Sequence, residues 1–67
     1  MNIAQQRFAE YVRQGWNSAP EVLEALKSGE TTPEAQAAAY ADVDETEGLS
    51  VGDAAEVIRY AMQSPEY

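Results

Sequence analysis

The chain contains no cysteine and no histidine. The first absence removes disulfides, thiolate nucleophiles and zinc–thiolate sites. The second removes the commonest general base and the commonest metal-binding side chain. Lysine and arginine are nearly missing as well, four against twelve acidic residues, for a formal net charge of −8. A surface of that sign argues against direct contact with nucleic acid or an anionic membrane, and for cations or a basic protein surface. No apolar run approaches the roughly 20 residues that span a bilayer, and no signal-peptide pattern is present. A secreted form would therefore have had its signal removed or have been cut from a larger protein. No glycine-rich loop of the phosphate-cradling kind occurs. Serines and threonines are present, but with no histidine to activate them. Carboxylates are plentiful, yet 67 residues leave little room to bury two and drive their pKa values apart. The expectation is a non-catalytic protein.

What remains is helical. No stretch alternates with period two over a strand's length, so no sheet is expected. Ala4, Phe8, Tyr11, Val12 and Trp16 recur at helical spacing and predict a first helix over about 2–16, ended by Gly15 and Asn17. Phe8, Tyr11 and Trp16 read as core, with Trp16 alternatively a partner anchor. Ser18-Ala19-Pro20-Glu21 is a helix-start signal, with serine as cap and proline in the first turn. The second helix then covers about 19–28, with Val22, Leu23 and Leu26 inward and Gly29 as its stop. Thr31-Thr32-Pro33-Glu34 repeats the signal and opens an alanine-rich helix over about 33–41. Its small side chains suit close approach to a neighbouring helix. A last helix over about 51–63 carries Val51, Ala54, Ala55, Ile58, Ala61 and Met62 as its stripe. Ser64-Pro65 ends it, and a frayed tail to Tyr67 follows. The fold class expected is all-α: one domain, residues 1–67, a small bundle of three to four short helices. A chain this short buries only about 60% of its unfolded surface, so its stability is marginal without help from an ion, a partner or oligomerisation.

Charge is unevenly spread. Between Lys27 and Arg59 there is no basic residue, while eight acidic ones lie there, four of them at Asp42, Asp44, Glu45 and Glu47. Counted from Asp42, oxygen-bearing side chains fall at loop positions one (Asp42), three (Asp44), five (Thr46), nine (Ser50) and twelve (Asp53). Position eight is the apolar Leu49. This is the spacing of an EF-hand calcium loop, which wraps six to eight oxygens around a hard cation at about 2.3–2.6 Å. Two features depart from it. Glu47 stands at position six, where glycine normally makes the turn, with Gly48 one place later. Asp53 stands where a bidentate glutamate is usual.

Ala41-Asp42-Val43-Asp44, Gly48-Leu49-Ser50, Asp53-Ala54 and Ile58-Arg59-Tyr60 together resemble the second repeat of a dockerin, over about the last third of the chain. Dockerins are small calcium-binding modules that attach cellulosomal enzymes to cohesins, and they carry two repeats; no first loop is present here. The resemblance implies one calcium ion held by Asp42, Asp44 and Asp53, with Thr46 and Ser50 in or near the shell and Gly48 offering its carbonyl. It also implies a cohesin-like partner read by Val51, Gly52, Ile58, Arg59 and Gln63. Positions ten and eleven are Val51 and Gly52 rather than the usual Ser/Thr pair, so any cohesin preference would be non-clostridial or the function lost.

Two other readings of the same residues stand beside this. An acidic, glycine-containing loop between helices is an ordinary solvated connection, and Ser50 to Asp53 is a plain capping box. Composition alone also suits a small acidic inhibitor of the phage type, such as an anti-CRISPR or host-takeover factor. Such a protein imitates phosphate charge and covers a basic surface of its target, here with Glu45 and Glu47 in the contact. The dockerin reading places the chain outside the cell, the inhibitor reading in a host cytoplasm.

Overall fold

The computed structural model describes residues 1–64; the Pro65 stop and the tail to Tyr67 lie outside the described residues. Among the described residues four α-helices follow one another: α1 (Ile3–Ser18), α2 (Pro20–Ser28), α3 (Pro33–Ala39) and α4 (Val51–Gln63). A short 3₁₀ turn, Asp44–Thr46, interrupts the connection between α3 and α4. Among the described residues there is no strand. The fold is therefore the all-helical one expected.

Helix α1 starts from a cap that the sequence reading overlooked. The Asn2 side chain accepts from the Gln5 N–H at 2.8 Å, and the Gln5 side chain accepts from the Asn2 N–H at 2.9 Å. This reciprocal pair satisfies two of the N–H groups that a helix start leaves free. The far end also differs from expectation, because α1 runs through Gly15 and Asn17 to Ser18. Glycine inside a helix costs about 1 kcal/mol. Burying Trp16, only 4% exposed, outweighs that cost. Ser18 consequently belongs to α1 and does not cap α2. The cap of α2 is Ala19, with no side-chain bond, and proline at N1 begins the helix without one.

Gly29 ends α2 in the left-handed region at φ 86°, where a side chain would be strained. Thr32 opens α3 by accepting from the Ala35 N–H at 3.1 Å, as the start signal predicted. The helix closes at Ala39, two residues before the expected end, and Tyr40 caps it. Ser50 opens α4 by accepting from the Asp53 N–H at 3.1 Å.

Phe8, Val12 and Trp16 of α1 form one buried cluster with Leu26, Ala37 and the Ala54, Ala55, Val57, Ile58 and Ala61 face of α4. Helix α4 is thus the wall between α1 and α3, and alanines on both facing helices allow the close approach. Tyr40 stands edge-on to both Phe8 and Tyr11, with ring centroids 5.5 and 5.7 Å away, a favoured aromatic geometry. Burial pushes the Tyr40 phenol above its ordinary pKa, reinforced by the neighbouring Tyr11. Two further links tie the helices. Arg59 pairs with Glu34 across α4 and α3, and Arg13 of α1 donates to the Ser64 carbonyl at 2.9 Å while lying over the Tyr60 ring. The pair is half-exposed, so it sets the mutual orientation more than it adds stability.

Candidate functional site

The connection from Tyr40 to Ser50 is a chain of tight turns. Successive i to i−3 backbone bonds run from Val43 to Tyr40, Thr46 to Val43, Glu47 to Asp44 and Leu49 to Thr46, each 2.9 or 3.0 Å. The turns are closed from inside by Thr46. Its side chain is buried, and the hydroxyl donates to the Val43 carbonyl at 2.7 Å, with the Tyr40 and Ala41 carbonyls at 3.2 and 3.5 Å alongside. A buried hydroxyl without a partner would be costly, and this one is satisfied entirely by its own loop. The loop also lies over the start of α1: a Cβ built on Gly48 would sit 3.8 Å from the Ala4 Cβ. Gly48 holds φ 86° there, the one position in the loop where backbone geometry itself selects glycine.

These turns and the start of α4 enclose a half-open groove of about 640 Å³. Ala37 of α3 and Ala54 of α4 are buried beneath it, Val43 and Leu49 are half-buried in its sides, and Val51 is 48% exposed at its lip. Asp42, Asp44 and Glu47 line it as well, all exposed. Leu49 and Ala54 occupy the N′ and N4 positions around the Ser50 cap, the places of a hydrophobic staple. That staple was readable from the sequence.

Of the six residues expected around calcium, five line this groove: Asp42, Asp44, Thr46, Gly48 and Ser50. Asp53 is not among its lining residues; it lies in the first turn of α4, exposed, with its N–H on the Ser50 hydroxyl. The Thr46 hydroxyl is directed at carbonyls. Among the described residues no group of three or more acidic side chains is placed to hold a metal ion together.

The partner-reading residues divide in a different way. Gly52, Arg59 and Gln63 are exposed and fall on one stripe of α4, with Glu56 between them as a member the sequence reading did not name. Val51 faces the groove instead. Ile58 corrects the expectation: it is 0% exposed, packed in the core cluster with Phe8 and Val12, and offers nothing to a partner. Glu45 is half-buried in the 3₁₀ turn, and Glu47 is exposed beside it. Trp16, considered as an anchor, is core. Comparison of the chain with family models, with curated proteins and with solved structures finds no match.

Proposed function

We propose that this chain is a non-catalytic, acidic protein-binding module whose contact surface is the 42–47 loop with the outer stripe of α4. The observation that carries the reading is the unneutralised charge of the loop. Asp42, Asp44 and Glu47 are exposed, and the single ion pair found among the described residues joins Glu34 to Arg59 instead. Like charges gathered on a small domain repel, and a basic surface would relieve them. The test is to capture partners from the cells that make the protein and to measure the rates of the complex against salt. Affinity should fall steeply with ionic strength, and Asp44→Asn, Glu45→Gln and Glu47→Gln together should slow association more than they speed dissociation. Salt-independent binding would overturn the reading. A captured protein that loses its hold on nucleic acid in the complex supports the inhibitor form; a cohesin-like receptor domain without that property supports the dockerin-like form.

Calcium binding by the loop is a second reading, favoured by the five candidate ligands that line one groove. It requires Asp53 to turn in from the first turn of α4, and Thr46 to remain as a brace rather than a ligand. Binding would then be coupled to tightening of the loop. Saturating calcium at a hundred times the dissociation constant should add about 2.7 kcal/mol, raise the melting temperature and shift the amide signals of residues 42–53. Asp42→Ala should abolish that response and Glu45→Ala should leave it. Thr46→Val should cost about 1–2 kcal/mol with or without calcium. An unchanged melting temperature and spectrum would remove the ion from the account.

A further inference from the structure

The groove between the acidic loop and the start of α4 has a composition that the charge reading alone does not use. Part of its lining is apolar, with Val51 exposed and Val43 and Leu49 half-buried. Its other lining includes Asp42, Asp44 and Glu47, and no basic residue lines it. Solvated loops keep their charges in water and their apolar groups covered. Here the two are interleaved around one concavity of about 640 Å³, a volume in the range of ligand-binding clefts.

We propose that this groove docks one large apolar side chain carried on a lysine- or arginine-rich amphipathic helix of a partner protein. The inference rests on the protein-binding reading above and adds the place and the chemistry of the contact. The apolar side chain would cover Val43, Leu49 and Val51, replacing water there. Cationic residues one turn to either side would reach the three carboxylates, as an amphipathic helix presents i, i+3 and i+4 anchors to a groove. Charge complementarity selects this occupant over a second copy of the chain. A copy brings its own charge of −8 toward an acidic rim.

The probe is a synthetic amphipathic helix of leucine and lysine, with a control peptide of equal charge in which serine replaces every leucine. Titration is followed by the methyl signals of Val43, Leu49 and Val51 and by calorimetry. The leucine peptide should bind roughly tenfold or more tightly than its control, since burying one leucine is worth that much, and should move all three methyl groups. Val51→Asp separates the contributions. It places an acid in the first turn of α4, where the helix dipole favours it, so the fold is kept. It also adds a negative charge while removing apolar surface. Docking in the groove predicts several-fold weaker binding of the leucine peptide by this variant. Attraction by charge alone predicts equal binding of the two peptides and tighter binding by Val51→Asp. That outcome overturns the groove proposal and leaves the acidic-module reading standing. Binding of neither peptide at low salt overturns both. Sedimentation showing a dimer that loses its contact in Val51→Asp would make a second copy the occupant, and would likewise overturn the proposal.

Discussion

Phe8→Ala should leave the chain at or below the edge of stability. Phe8 is 0% exposed and meets the Tyr40 ring edge-on from the same cluster that holds Val12 and Ile58. Removing a buried phenylalanine ring typically costs about 3–5 kcal/mol, the lost transfer energy plus the cavity left behind. A domain of this length has only about 3–10 kcal/mol in total. One ring therefore accounts for a large share of what keeps it folded. Neighbours offer little relief, because alanines make up much of the facing α4 surface and cannot extend into the gap. The loop would feel the loss too, since Tyr40 begins it and would lose one of its two aromatic contacts. Urea unfolding followed by helicity, with near-ultraviolet dichroism of the tyrosines, measures both effects. Ile3→Ala is the control: Ile3 is 67% exposed, and its truncation should stay within about 0.5 kcal/mol. A Phe8→Ala protein that melts cooperatively within a few degrees of the parent would contradict the packing described.

The sequence signals that held were those with a strong local cause. Thr32-Pro33 and Ser50 begin helices because a β-region hydroxyl residue satisfies a free N–H wherever it stands. The spacing of Phe8, Val12 and Trp16 puts them on one face of any helix. The signals that misled were those where a local preference of about 1 kcal/mol met a larger tertiary term. Ser18 is a good cap, but burial of Trp16 extends α1 past Gly15 and absorbs it. Thr46 is a different matter, because its spelling leaves its role open. At loop position five an oxygen-bearing residue has the same spelling whether it faces an ion or its own backbone. What the Thr46 hydroxyl meets is local, the Val43 carbonyl three residues back. The groove was hidden for a different reason. Its buried alanines come from α3 and α4 and its lining carboxylates from the turns between them, so no single stretch of sequence displays it. In the stripe of α4, by contrast, 3.6-residue periodicity leaves adjacent Ile58 and Arg59 about 100° apart. Placing both at one partner surface was a misreading of geometry already available.

That last pair yields the second large effect. Ile58→Ala should destabilise by about 2–5 kcal/mol, because Ile58 is wholly enclosed between α1 and α4. Any loss of partner binding by this variant should follow from unfolding, and should vanish when binding is measured per folded molecule. Ile58→Val keeps the branched shape and removes one methyl group, so it should cost about 0.5–1.5 kcal/mol and bind normally. Arg59→Gln should behave in the opposite way. It breaks only the half-exposed pair with Glu34, worth at most about 1 kcal/mol, yet it alters the outer stripe that also carries Gly52, Glu56 and Gln63. Its stability should be nearly that of the parent. Its effect on a captured partner should appear in the rate constants, as expected for a charge at the rim of a contact. Urea midpoints and binding kinetics on the three variants separate the roles. An Ile58→Ala protein with an unchanged midpoint and abolished binding would place Ile58 at the contact surface and undo the packing of α4 on α1.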